Sequence, residues 1–148
     1  MSREEGEHVN LGIMSRTIRI LHVDDEPADL EITRILIKRE AKRDFEIVGV
    51  LSPKEALKRL ETEHFDAIIA DYKMPEMDGI ELLEAVRGSE DVYAHVPFIL
   101  FTGKGGPEVA KEALEKGADR YITKGGNTAA KQCHELAKAV VELVQEKR

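Results

Sequence analysis

Apolar and polar positions follow two rhythms along this chain, and the switches between them mark its elements. Thr17 to Val23 is β-rich and reads as a first strand. Asp24, Asp25 and Glu26 follow it. Pro27 is then pre-set for the first turn of a helix with apolar positions at Ala28, Ile32, Ile35 and Leu36. Glu46 to Val50 is a second short strand. Ser52-Pro53-Lys54-Glu55 reads as a capping box with Pro at the first helical position, opening a helix to about Glu61. Ala67 to Ala70 is apolar throughout, the pattern of a strand buried on both faces, and it ends in Asp71. Pro75 and Gly79 turn the chain into a helix with core positions Ile80, Leu83 and Val86, which Gly88 can end. Val96 to Phe101 is a fourth strand ending at Thr102. Pro107 opens a helix that Gly117 closes. Arg120 to Ile122 is a fifth, short strand ending near Lys124. From Thr128 onward, Ala129, Cys133, Leu136, Val140 and Leu143 step by four, three, four and three, a last helix with one buried stripe.

Strands and helices alternate five times with short joins. That pattern predicts an α/β domain, a parallel sheet covered on both faces with right-handed crossovers. The expected strand order is 2-1-3-4-5, a flavodoxin-like doubly wound (βα)5 sandwich whose crevice lies beyond the carboxyl ends of strands 1 and 3. Residues 1–15 are polar at first and lack periodicity; a flexible N-terminal extension is expected there, with the domain proper over 16–148.

Composition narrows the function. The 148 residues, 42% hydrophobic, suffice for one core, and 5% aromatic content with no Trp leaves aliphatic side chains to fill it. A net charge of −7 argues against a nucleic-acid surface. No apolar stretch approaches a membrane span or a secretory core, and the lone Cys133 fits a reducing compartment, so a cytoplasmic location is expected. His8, His22, His64, His95 and His134 show no metal-ligand spacing and read as structural or surface residues.

The chemistry gathers at the strand ends. Strand 1 delivers Asp24 and Asp25, strand 3 Asp71, strand 4 Thr102 and strand 5 Lys124. In the expected order these converge on one shallow pocket. Two like charges ~4 Å apart repel by ~4 kcal/mol at an effective dielectric near 20, so three carboxylates need compensation. A hard divalent cation such as Mg²⁺ supplies it, and the same site can receive a phosphoryl group. Asp71 is then the candidate nucleophile, attacking phosphorus to form an acyl phosphate.

These residues resemble the receiver domain of two-component response regulators, in the manner of the chemotaxis regulators. Asp24-Asp25, Asp71 followed by Met74-Pro75 and Met77-Asp78-Gly79, Thr102, and Tyr121 three residues before Lys124 all stand in family register. The resemblance implies that Asp71 is the phosphoacceptor, taking its group from a phosphohistidine of a histidine kinase or phosphotransfer protein. It implies that Asp24, Asp25, Asp71 and the backbone carbonyl of Lys73 hold Mg²⁺, and that Thr102 and Lys124 grip the phosphoryl oxygens. Tyr121 would be an aromatic switch that reshapes the face formed by helix 4, strand 5 and helix 5. A downstream effector, an output domain in a longer parent chain, or a second copy would read that face. The implied protein is a switch that promotes its own phosphorylation and dephosphorylation rather than a metabolic enzyme, with no nucleic-acid or membrane role for this domain. The alternative within the resemblance is a receiver-like interaction module that acts without phosphorylation. A flavodoxin-like cofactor binder needs a polar phosphate loop where Asp24-Asp25-Glu26 stands, and a dehalogenase-type hydrolase needs Asp-x-Asp after strand 1.

The sequence departs from the family at two loops. Lys124 is followed by Gly125-Gly126 in place of the family's Pro, which carries a cis peptide; a non-proline cis bond costs ~2.5–4 kcal/mol, so the cis geometry is not expected here. A matching Lys104-Gly105-Gly106 follows Thr102, a variant similar to archaeal receivers. Lys73 and Lys104, each two residues past a site residue, are candidate rim cations that hinder water from hydrolysing the acyl phosphate.

Overall fold

The computed structural model describes residues 16–40, 43–125 and 128–146. The extension expected over 1–15, and Gly126 of the second Lys-Gly-Gly loop, lie outside the described residues. The elements are β1 (Ile18–Val23), α1 (Pro27–Glu40), β2 (Phe45–Val50), α2 (Pro53–Thr62), β3 (Ala67–Ala70), α3 (Gly79–Arg87), a 3-10 turn (Val92–His95), β4 (Phe98–Thr102), α4 (Pro107–Glu115), β5 (Arg120–Thr123) and α5 (Ala129–Glu146). The five strands form one parallel sheet in the order β2-β1-β3-β4-β5, as the alternation of elements predicts.

Burial follows from the parallel pairing. β3 and β4 are buried at every position, because helices cover both faces. Leu21, Val23, Ile68, Ala70, Phe98 and Leu100 point to one side and pack with Ala56, Leu60, Leu82, Leu83 and Val86 of α2 and α3. Ile18, Ile20, Ile69, Ile99 and Phe101 point to the other and pack with Ile37 of α1 and Cys133, Leu136, Val140 and Leu143 of α5. The period of two thus splits each strand between two cores.

Four local readings of the sequence are corrected. On α1 Thr33 and Ile37, one turn apart, are buried and Leu36 packs half-buried against the core, while Ile32 and Ile35 are 49% and 40% exposed. Periodicity locates an apolar face but not what covers it. On α5, Ala129 is exposed at the first helical position and Gln132 is buried instead. β4 begins at Phe98 rather than Val96, since Val92 to His95 wind into a 3-10 turn first. Ser52 caps α2 with one bond, accepting from Glu55 N–H at 3.1 Å. The reciprocal two-bond box occurs at Asp78 and Glu81, at the start of α3.

Candidate functional site

Registry brings the strand tips together. Val23 of β1 pairs with Ala70 of β3, Ala70 with Leu100 of β4, and Thr102 with Thr123 of β5. Backbone bonds continue the ladder past the tips: Asp24 N–H donates to Val50 O (3.1 Å), Asp71 N–H to Val23 O (3.0 Å) and Lys124 N–H to Thr102 O (3.0 Å). Main chain therefore sets Asp24 beside Asp71 on neighbouring strands, and Lys124 beside Thr102, one strand further along, before any side-chain contact.

The side chains then meet. Lys124 Nζ lies 3.0 Å from Asp24 Oδ2 and 3.5 Å from both Asp29 Oδ2 and Asp71 Oδ2. Carboxylate oxygens of Asp24, Asp29 and Asp71 all lie within 4.8 Å of one another. The other oxygens of the buried pair are satisfied locally. Asp24 Oδ1 accepts from Glu26 N–H (3.0 Å) and Asp71 Oδ1 from Tyr72 N–H (2.7 Å). Burial raises the pKa of Asp24 above the ordinary carboxylate value, against the pull of the Glu26 N–H and of Lys124. Burial works against the Lys124 ammonium too, but Asp24 and Asp71 outweigh it and leave that pKa above its ordinary value. An all-oxygen, carboxylate-rich set of this kind suits a hard divalent cation.

Asp29 joins the cluster although nothing in the sequence singles it out. In sequence it reads as an acid favouring the first turn of a helix, and it is one. Side chains of a helix point back toward its N-terminus, so an acid in the turn after Asp24-Asp25 is aimed at the strand tip. Asp25, named from the sequence, is half-buried beside Asp24 and stands outside the carboxylate cluster.

Thr102 is fully buried and its Oγ1 accepts from Lys104 N–H at 3.1 Å, which leaves its own O–H to donate. Tyr121 is half-buried against the α2–α3–α4 core. A Cβ built on Gly105 would come 2.5 Å from the Tyr121 hydroxyl, so the glycine makes room for that hydroxyl. The Lys73 and Lys104 side chains are exposed, with Lys73 Nζ 5.9 Å from the Tyr72 ring centre. Lys124 and Gly125 are joined by a trans peptide, as no cis bond occurs among the described residues.

The loop behind Asp71 is tightly folded. Met77 N–H bonds back to Pro75 O (2.8 Å), leaving Glu76 at φ 72°, a region unfavourable to a residue with a Cβ. Gly79 approaches the main chain of Asp71 so closely that a Cβ would overlap Asp71 O and Leu100 Cδ1. Beneath the acids, the buried His22 ring has no hydrogen-bond partner for Nδ1 among the described residues. Burial and the neighbouring Lys124 hold its pKa down at about 3, so the ring is neutral.

Comparison with known proteins identifies the family. A family model for the response regulator receiver domain matches residues 20–135. The two-component response regulator ORR8 of Oryza sativa subsp. indica is 35% identical over 106 residues, covering 71% of this chain and 84% of that protein. The CAI-1 autoinducer sensor kinase/phosphatase CqsS of Vibrio cholerae is 31% identical over 106 residues, covering 72% of this chain but 15% of CqsS. A crystal structure of a CheY-like response regulator receiver domain protein from Methanospirillum hungatei superposes with a TM-score of 0.71 at 31% identity, over 88% of this chain and 96% of that one. Several curated relatives are much longer, so that the match spans only 12% to 48% of them. Family members are signalling switches rather than metabolic enzymes, and no described helix is long and apolar enough to cross a membrane. The sheet order, the acid cluster under Lys124 and the family match lead to one conclusion: this chain belongs to the response regulator receiver domain family.

Proposed function

We propose that residues 16–148 form a phosphorylation switch in which Asp71 accepts a phosphoryl group from a phosphohistidine of a histidine kinase or phosphotransfer protein. The observation that carries this is the ammonium of Lys124 shared among Asp24, Asp29 and Asp71, a buried charge balance that a phosphoryl group and a cation would rearrange. Asp71 Oδ2, the oxygen that faces Lys124 Nζ at 3.5 Å, is the attacking atom, while Oδ1 is held by Tyr72 N–H. The Oδ2–P bond forms as the P–N bond to the donor imidazole breaks, and the imidazole leaves with its electron pair. Asp24, Asp25, Asp29, Asp71 and the Lys73 carbonyl are the proposed holders of Mg²⁺, which when bound neutralises carboxylate and phosphoryl oxygens.

Lys124 and Thr102 then hold the transferred group, Lys124 turning part of its charge from carboxylate to phosphoryl oxygen. Bonds to charged groups are worth ~1.5–3 kcal/mol each, so the two supply ~3–6 kcal/mol of bias. Moving an equilibrium from 1:99 to 99:1 needs ~5.5 kcal/mol, which the two contacts reach at the top of that range. Tyr121, packed against Gly105 in the loop that Thr102 begins, follows Thr102 and changes the face of α4, β5 and α5. An effector protein, an output domain of a longer parent chain or a second copy reads that face. The donor meets α1, whose exposed Ile32 lies one turn beyond Asp29. Lys73 and Lys104 at the rim slow loss of the group by water. The buried, lone Cys133 is consistent with a cytoplasmic setting.

Incubation with acetyl phosphate and Mg²⁺, followed by intact-mass measurement, tests this. One added phosphoryl group is expected on the parent and none on Asp71→Asn. A protein that stays unmodified would support the reading as an interaction module independent of phosphorylation.

A further inference from the structure

The Lys124 loop has a second anchor that lies away from the acids. Gln132, in the first turn of α5, is 7% exposed, and its Nε2 donates to Gly125 O at 2.8 Å. Gly125 sits at φ 90°, and a Cβ there would touch nothing within 4 Å, so conformation rather than crowding calls for glycine. Lys124 is thus fixed on both sides. Its own N–H is tied to Thr102 O at 3.0 Å, and the next carbonyl is tied to a buried amide. Burying an amide side chain is unfavourable unless it is hydrogen-bonded, so this contact orders two partners at once. Glycine has the most backbone freedom to lose, and here a helix side chain restrains Gly125.

We propose that Gln132 is a positioning residue for the phosphoryl site, holding the Gly125 carbonyl so that the Lys124 ammonium is delivered to the pocket in a sequence with no proline after that lysine. The inference rests on the reading of Lys124 as a phosphoryl-binding residue. Gln132 touches neither substrate nor cation. Its effect passes through the Lys124 backbone, and it ties the pocket to α5, which belongs to the face proposed to be read by partners.

The prediction separates two ligands. Lys124 contacts the phosphoryl group directly, whereas toward a cation held by Asp24 and Asp71 it is a competitor. Loosening Lys124 therefore weakens phosphoryl binding while leaving Mg²⁺ binding unchanged or tighter. The test titrates the full chain with Mg²⁺ alone, and then with beryllofluoride at saturating Mg²⁺, following backbone amide resonances. The variants are Gln132→Leu, which removes the donor, and Gln132→Glu, which keeps the shape but sets a carboxylate against a carbonyl. Loss of one buried hydrogen bond predicts beryllofluoride binding weakened about three- to tenfold in both, with Mg²⁺ affinity no lower than in the parent. In a Lys124→Met background, Gln132→Leu should add nothing further. Unchanged beryllofluoride affinity in both variants overturns the positioning role and leaves the phosphoryl site standing. A parallel fall in Mg²⁺ affinity also overturns it, showing that Gln132 merely supports the fold. A parent protein that binds Mg²⁺ but not beryllofluoride removes the phosphoryl site itself, and the proposal with it.

Discussion

Replacing Lys124 by Met keeps most of the side-chain length and deletes the charge, which isolates what the ammonium contributes. The charge removed lies 3.0 Å from Asp24 Oδ2 and 3.5 Å from the oxygens of Asp29 and Asp71. At an effective dielectric near 20, one pair at such distances attracts by about 5 kcal/mol before desolvation is counted. Removing one partner of a buried pair typically costs about 3–5 kcal/mol. Two features lower the figure here: the Asp29 side chain is 45% exposed, and Asp24 can relieve its own burial by taking up a proton. The expected loss is about 1–3 kcal/mol at neutral pH. Its pH dependence has a definite sign. Burial already raises the folded-state pKa of Asp24 above 3.8. Such a group contributes stability that is complete below the unfolded value and is lost as pH rises through the folded one. Without Lys124 the folded value climbs further, so the destabilisation of the variant relative to the parent should be larger at pH 7 than at pH 5. Added Mg²⁺ should recover stability in the variant more than in the parent, because no ammonium competes for the carboxylates. Urea denaturation at both pH values, with and without Mg²⁺, measures all of this. A variant as stable as the parent at both, with unchanged Mg²⁺ affinity, would refute the electrostatic reasoning.

Other perturbations test the packing around the pocket. Gly79→Ala puts a Cβ into Asp71 O, so the loop behind Asp71 must move; a loss of about 2–3 kcal/mol by denaturation, with weaker Mg²⁺ binding, is expected. Gly105→Ala presses on the Tyr121 hydroxyl, and its cost of about 1–2 kcal/mol should shrink in a Tyr121→Phe background, as a double-mutant cycle will show. Lys73→Asn and Lys104→Ala should each shorten the lifetime of the phosphoryl group, followed by intact mass; equal or longer lifetimes would remove the rim role.

Much of this molecule was legible in the sequence because its central strands are buried on both faces. Ala67 to Ala70 and Phe98 to Phe101 are apolar throughout, so their type and termini are sharp, and the polar residue that ends each one is a site residue or its neighbour. Spacing along the chain therefore reported proximity in space for Asp24, Asp71 and Lys124. It did not do so for residues that reach the site from a helix. Asp29 reads as an ordinary first-turn acid and Gln132 as one polar residue among several on α5, and only the fold shows where each side chain ends. Arg87 is the same lesson away from the site. It resembles a solvated cation at a helix end, yet its guanidinium donates to Gly117 O (3.0 Å), Ala94 O (3.0 Å) and Val96 O (2.8 Å), and pairs with Asp119 (3.1 Å). Long polar side chains carry their bonding to places a periodic pattern cannot express. The misread face of α1 has the converse cause, since Ile32 and Ile35 obey helical spacing and still face solvent.

The central claim is that Asp71 takes the phosphoryl group with the help of a cation held by its acidic neighbours. Peptide mapping after reaction with acetyl phosphate, in Mg²⁺ and in a chelator, tests it most directly. The account predicts one base-labile phosphoryl group on the peptide that contains Asp71, formed only when Mg²⁺ is present. A modification on any other residue, or one that forms equally well in the chelator, would contradict it.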